Sequence, residues 1–554
     1  MEVSVKQVSS LEKIRKGDNL DCNEIHKKEV LAGERFSYQI CVKFPWTMFV
    51  TVSVESDLTE NIQLYRVRDA FMDMPIGEGC PPEDDIAREP GFMPDILVPL
   101  KETNYKMTMD GSNCVIWVKA DIPRDTAPGT YSIRVNFTFN WPGQEAVHSC
   151  CENMTVEVIP AIMPEQKLIY TRWMYLDCIA SAHGVKIFSE QHWELIDKYI
   201  AAAADVGVNM MLVPVITPPL DTEIGTVRPC VQLADIEKNG DEYTFSFDRL
   251  RRFIGICKKH GIRYYEIAHM FSQWGAKFAP NIMVTENGQT DYLFGWHVSA
   301  DSPEYASFLK QYVAAVTAEL NAEGIAENTY FHISDEPGLE TLETYKAAAE
   351  IIRPLIGNSK TFDALSNYEF YEKGLVECPV TGVASIHEFL EHDIPNQWVY
   401  YCCYPRGVYP NAFLAMPSYR VRILGFLLYK YNIKGFLHWG FNYYNSSRSV
   451  YTVNPYLTTS ADGAFPSGDP FIVYPGKDCV YPSIRGEVTF EAVQDMDICF
   501  ELESIIGREE VVKMIDDAAE RDLRFDDYPG NKEFIENLRQ KMIGRIKDAV
   551  VLKN

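Results

Sequence analysis

The sequence predicts a β-sandwich fused to a (β/α)8 TIM barrel and completed by a C-terminal helical extension. Three observations carry this reading. Short runs of alternating polarity fill residues 1 to about 160. Strand-like and helix-like segments then alternate eight times between about 167 and 441. Within that alternation, the stretch Thr329-Tyr-Phe-His-Ile-Ser-Asp-Glu-Pro337 ends a short apolar strand on two adjacent acids, where a barrel places its chemistry. The expected divisions are a sandwich over 1–164, the barrel over 165–470, and a strand with helices packing on the barrel over 471–554.

In the first part, Phe36-Ser-Tyr-Gln-Ile-Cys-Val-Lys-Phe44, Phe49-Val-Thr-Val-Ser-Val54 and Tyr131 to Phe139 read as strands separated by Gly, Pro and Asn turns. Residues 80–94 read as a long loop, and Val158 to Pro164 as a linker. With no exposed aromatic row, the sandwich is expected to support the barrel rather than bind ligand. Barrel strands are expected at 168–180, 208–217, 262–271, 329–334, 360–366, 379–386, 397–404 and 433–441. Helices are expected at 190–206, 247–260, 303–323, 342–356 and 418–432. The tail reads as helices over 485–520 and 531–550.

A hydrophobic content of 46% with 23% charged residues describes a globular protein with ample core. The net charge of −26 argues against nucleic acid and anionic membranes as partners, because both need clustered Lys and Arg. The fourteen cysteines lack paired C-x-x-C spacing, so neither a zinc site nor a disulfide framework is expected, and no cofactor or metal is implied. The start, Met-Glu-Val-Ser-Val-Lys, has no apolar signal core, and no window reaches the length of a membrane span. These features give a cytoplasmic expectation.

Asp335-Glu336 differs from the other acid pairs, which lie in polar segments. It follows Tyr330 to Ile333 and precedes Pro337-Gly338. A regular strand points neighbouring side chains to opposite faces, so both acids share a cleft only if the chain turns there. Two close carboxylates do not both ionise readily; one keeps a proton as an acid while the other stays charged. That division suits glycoside hydrolysis. Adjacent acids are poorly placed to flank a glycosidic bond. The fitting form is substrate assistance: Glu336 protonates the leaving oxygen while Asp335 orients a 2-acetamido group whose own oxygen attacks C1. The competing reading is that the pair caps a helix near Leu339.

The other strand ends carry aromatics and polar groups: Trp173, Tyr175 and Asp177; Thr217 to Thr222 with Arg228 beyond; His269 to Gly275; Tyr400, Tyr401 and Tyr404; and His438 to Asn445. Aromatic faces stack on apolar sugar faces while amides, imidazoles and carboxylates take hydroxyls.

Together with Phe465-Pro-Ser-Gly-Asp-Pro-Phe-Ile-Val-Tyr-Pro475 and Ser483-Ile-Arg485, the strings Trp173 to Ala180, Phe331 to Pro337 and Gly435 to Asn442 resemble glycoside hydrolase family 123 in matching order over nearly the whole chain. The resemblance implies a sandwich–barrel fold and exo-acting, retaining removal of terminal β-linked N-acetylgalactosamine from a glycan or glycolipid headgroup. It implies Asp335 as the acetamido-orienting group and Glu336 as general acid and base. It also implies a sugar pocket drawn from Trp173, His269, Gln273, Trp274, His332, Tyr400, Tyr401, Trp439 and Asn442. A tyrosine donating to the acetamido carbonyl is expected, with Tyr400, Tyr401 and Tyr404 as candidates. The rival readings are a β-N-acetylglucosaminidase or broader hexosaminidase, and a sugar-binding protein without turnover.

Overall fold

Among the described residues, ten strands in two five-stranded sheets form the N-terminal part. The structure, a computed structural model, describes residues 3–43, 48–76, 86–100, 105–109, 113–140 and 146–553. One sheet runs Ser4–Ser9, Arg35–Lys43, Cys114–Asp121, Ile62–Met72 and Gly91–Pro99 in spatial order. The other runs Lys27–Ala32, Ala146–Ile162, Gly129–Asn140, Met48–Ser56 and Tyr105–Met109. Alternation sends Phe36, Tyr38, Ile40, Val50, Val52, Phe137 and Phe139 inward to a shared core. The loop expected over 80–94 divides: 80–85 lie outside the described residues, and Gly91–Pro99 is an edge strand.

Eight parallel strands then close into a barrel in chain order: Ile169–Arg172, Met210–Val213, Tyr264–Ile267, Thr329–Phe331, Lys360–Leu365, Cys378–Gly382, Trp398–Tyr400 and Gly435–His438. The last pairs with the first, Ile169 opposite Gly435. These strands are shorter than the sequence suggests. The first stops at Arg172 and Leu176–His183 is helical, because the apolar run serves two elements in succession. A further four-stranded sheet, Glu242–Ser246, Asp235–Asn239, Ile282–Glu286 and Gln289–Phe294, grows from the loops after strands two and three, where no strand was expected.

The outer helices follow the sequence pattern closely, with recognisable starts. Ser189 caps Glu190–Asp205 by accepting from the His192 amide, and Ser302 caps Pro303–Ala322 by accepting from the Tyr305 amide. The expected helix over 418–432 is two pieces, Ser418–Arg422 and Leu424–Lys430. Gly425 lets the second piece approach the long C-terminal helix Ile484–Ile506. A Cβ there would sit 2.0 Å from the Ala492 carbonyl oxygen.

That long helix is covered by barrel and sandwich together, and its buried polar residues are paired. Arg485 forms an ion pair with Asp95 of the sandwich at 2.9 Å, and Tyr474 donates to the same carboxylate at 2.7 Å. Arg422 of the barrel bonds Glu491 and Asp495 at 2.6 and 2.7 Å, and Lys119 of the sandwich reaches Glu487 at 3.4 Å. Arg485 also donates to the carbonyls of Gly468 and Phe471, in the long segment after barrel strand eight. Removing one partner strands the other charge in the interior. Asp95→Ala is therefore expected to lower stability by about 3–5 kcal/mol, read as a fall in the urea midpoint. An unchanged midpoint would show that the sandwich–helix contact does not carry this load.

Candidate active site

The fourth barrel strand ends at Phe331, and its exit is gripped from the next strand. The Asp363 carboxylate accepts the backbone N–H of Ile333 at 3.0 Å and of Ser334 at 3.4 Å, together with the Tyr345 hydroxyl at 2.5 Å. Two backbone bonds hold the following turn: Trp274 N–H to the Asp335 carbonyl, 2.8 Å, and Glu336 N–H to the Ala364 carbonyl, 3.1 Å. Glu336 has a φ of 42°, a left-handed conformation unfavourable to a residue with a Cβ. This twist undoes the strand alternation, and Asp335 and Glu336 both line one cavity of about 300 Å³ at the C-terminal mouth of the barrel. Asp221, Trp274 and Arg448 at the same cavity also have positive φ, a clustering of backbone strain that marks functional sites.

Burial and the charge of neighbouring Glu336 push the Asp335 carboxyl well above the ordinary carboxylate range, while His332 pulls the other way. Asp335 is therefore disposed to hold a proton. The Tyr400 hydroxyl donates to Glu336 Oε1 at 2.6 Å.

Of the residues expected in the pocket, Trp173, Trp274, Tyr400 and Trp439 line the cavity with the two acids. Trp439 is half-buried, with its indole N–H on Asp469 at 3.0 Å and T-shaped contacts to Tyr175, Tyr443 and Phe465. Trp274 is exposed at the rim, with the Arg448 guanidinium 5.8 Å over its ring.

The remaining expected residues do not line it. His332 is fully buried beneath the acids, with Nε2 on Glu266 at 2.8 Å and Nδ1 on Asp363 at 3.0 Å. His269 stacks on it at 4.0 Å, also buried. Gln273 donates to the Thr222 carbonyl, Asn442 ties the Tyr175 backbone, and Tyr401 packs between Phe436 and His438. Their polar residue types suggested contact with ligand, but barrel geometry turns them into the packed layer below the mouth. Asp177 and Arg228, also at strand ends, pair with each other at 2.6 Å. Of the three tyrosines expected as acetamido donors, Tyr400 lines the cavity with its hydroxyl on Glu336, and Tyr401 does not line it.

Sequence reading placed Tyr175 and, within Thr217 to Thr222, Asp221 at the ligand-binding strand ends without carrying them into the pocket set, and did not select Arg448, Cys402, Cys403 or Phe465; all six line the cavity. Asp221 accepts the Tyr443 hydroxyl at 2.5 Å and the Arg448 amide at 2.9 Å. Its signal was its place after Pro218-Pro219 in a post-strand loop. Arg448 and Phe465 come from the segment after strand eight, where no local pattern points inward.

His269, His332 and Asp363 offer donor atoms within 4.8 Å of one another, the spacing of a metal site. Both ring nitrogens of His332 are already committed to carboxylates, however, and the group is a buried ion-pair network in this structure. Burial alone would lower the His332 pKa, but the hydrogen bonds to Asp363 and Glu266 more than offset it and raise it to about 9. His269, desolvated and facing that charge, stays neutral.

A pKa raised on folding contributes stability that is full below the unfolded value and lost as pH rises through the folded one. The stability difference between wild type and His332→Gln should accordingly be largest below about pH 6.5 and shrink as pH passes through about 9. A pH-independent difference in chemical denaturation would show that His332 is uncharged.

The chain matches the family model described as glycoside hydrolase 123, catalytic domain, over residues 173–502. Among solved structures, it is similar to a family 123 glycoside hydrolase from Clostridium perfringens analysed for glycolipid glycan hydrolysis. That likeness has a TM-score of 0.73 and 15% identity, covering 99% of this chain and 97% of that one. A family 5 mannosidase from Rhizomucor miehei gives a TM-score of 0.34 at 12% identity, covering 62% of this chain and 94% of that one, too low to carry an argument. No curated protein matches the chain significantly.

Proposed function

Because the chain belongs to glycoside hydrolase family 123 and is a glycosidase, we propose that it removes terminal β-linked N-acetylgalactosamine from glycans or glycolipid headgroups, exo-acting and with retention, using the substrate's 2-acetamido group as nucleophile. The observation that carries this reading is the left-handed Glu336, which turns two sequence-adjacent acids into one cavity. Neighbouring acids are poorly placed to flank a glycosidic bond from both faces, which favours an attacking group supplied by the substrate. The Clostridium perfringens relative's glycolipid glycan hydrolysis supports the substrate class.

Burial disposes Asp335 to hold a proton, while the Tyr400 hydroxyl donates to Glu336. An acetamido N–H donating to Asp335 would favour the ionised form there, and the proton would pass to Glu336, which protonates the glycosidic oxygen as it leaves. Asp335 then holds the acetamido oxygen against C1 and balances the positive charge of the oxazoline-like intermediate. Glu336, now ionised, takes a proton from the water that opens the intermediate, which regenerates the starting configuration. Trp439 and Trp173 on the cavity wall provide apolar surface for the ring, and a cavity of about 300 Å³ suits one terminal sugar.

Paired aryl β-glycosides of N-acetylgalactosamine and N-acetylglucosamine test the sugar assignment: the former should be hydrolysed faster and be blocked by its matching thiazoline. Glu336→Gln should lower kcat/KM roughly 100- to 10,000-fold on a sugar leaving group, and much less on an activated aryl one. Asp335→Asn should be the more damaging change on the aryl substrate. Retention of aryl hydrolysis by Asp335→Asn would sink substrate assistance.

A further inference from the structure

Phe465 lines the cavity and meets Trp439 in a T-shaped contact, ring centroids 5.3 Å apart. Its loop after barrel strand eight carries Ala461, Asp462, Gly463 and Gly468 at positive φ. Ala461 and Asp462 have a Cβ, so this path persists only where its surroundings fix it. The group that fixes it comes from the sandwich. Asp73 follows the strand Ile62–Met72 and is half-buried. Its Oδ2 accepts the Thr458 and Ser460 hydroxyls, each at 2.5 Å, and its Oδ1 accepts the Thr459 amide at 2.9 Å and the Ser467 hydroxyl at 3.0 Å. Next to it, the Met74 amide donates to the Ser467 hydroxyl oxygen and the Ser467 amide to the Met74 carbonyl, both at 2.9 Å.

We infer that Asp73 is a positioning residue for the sugar site: a sandwich carboxylate fixes the loop that sets Phe465 against Trp439. This rests on the terminal-sugar reading above.

The contact is built for a carboxylate. The Thr458 hydroxyl oxygen already accepts the Asp462 amide at 3.2 Å, and the Ser460 hydroxyl oxygen accepts the Gly463 amide at 2.7 Å. Both hydroxyls are thereby turned to donate away from the loop, and their protons converge on one oxygen of Asp73. The left-handed turn is tied in this way, through two hydroxyls, to an acceptor in the other domain. Burial alone would raise the Asp73 pKa, but the bonds from Ser460, Thr458, Thr459 and Ser467 more than offset it and hold the carboxyl below its usual range. An asparagine keeps one acceptor and places an amide nitrogen where two hydroxyl protons arrive. An alanine offers neither oxygen.

The effect falls on binding. The turn bearing Asp335 and Glu336 is held separately, by Asp363, the Ala364 carbonyl and the Trp274 amide. Loosening Phe465 therefore removes sugar contact and leaves the acids in place.

Steady-state kinetics on the aryl β-glycoside of N-acetylgalactosamine test this. Asp73→Ala should raise KM about tenfold or more and keep kcat within about threefold, the pattern of lost uniform binding. Asp73→Asn should fall between it and wild type, and carries the comparison where Asp73→Ala does not fold. Phe465→Ala should raise KM to a similar degree, and adding Asp73→Ala to it should change KM by less than about twofold, because Asp73 acts through that ring. Arg35→Gln is the control for a loosened domain contact: it cuts the 2.7 Å ion pair between the sandwich and Asp205, at the end of helix Glu190–Asp205, and should leave KM unchanged. An unchanged KM in the Asp73 variants, multiplying KM effects of Asp73→Ala and Phe465→Ala, or an equal KM rise in Arg35→Gln would each overturn the role of Asp73 alone. Wild type inert on the glycoside would overturn the terminal-sugar reading and this role with it.

Discussion

The site depends on the capture of one strand end by one buried carboxylate. Asp363, on the fifth barrel strand, takes the amides of Ile333 and Ser334 and the Tyr345 hydroxyl, so the chain leaves the fourth strand along a defined path. The strained, left-handed Glu336 can persist only because its surroundings over-determine it, with Asp363 below, the Ala364 carbonyl on its amide and the Trp274 amide on the preceding carbonyl. Without that grip, strand alternation would return and separate the two acids.

The same carboxylate also organises charge. Asp363 and Glu266 hold His332 between them, and the resulting cation lies under Asp335. An acid pair above an apolar barrel core would lose much of its capacity to ionise. Here the buried imidazolium opposes the desolvation that raises Asp335, while neutral His269 fills space beside it without adding charge. The polar layer beneath the cavity thus reaches Asp335 through electrostatics without lining the cavity itself.

Support reaches the site from a distance as well. Asp95 of the sandwich pairs with Arg485, Arg485 donates to the carbonyls of Gly468 and Phe471, and Asp469 between them receives the Trp439 indole. The sandwich is in this way joined to the aromatic platform through a chain of buried polar contacts.

The sandwich and barrel were legible in the sequence because both rest on local periodicity: alternation in Phe36 to Phe44, and the apolar strand and amphipathic helix repeats from Ile169 to His438. The acid pair was legible because Asp335-Glu336 stands at an apolar strand end before a proline. Tertiary structure alone decided which neighbouring side chains face the cavity. His269, His332, Gln273, Tyr401 and Asn442 have the chemistry of sugar ligands yet lie below or behind the wall, whereas Asp221, Arg448 and Phe465 reach it from segments without periodic pattern. The physical reason is that residue type and spacing are local properties. Orientation at a barrel mouth is set by backbone torsions such as the positive φ of Glu336 and by contacts between strands far apart in the chain.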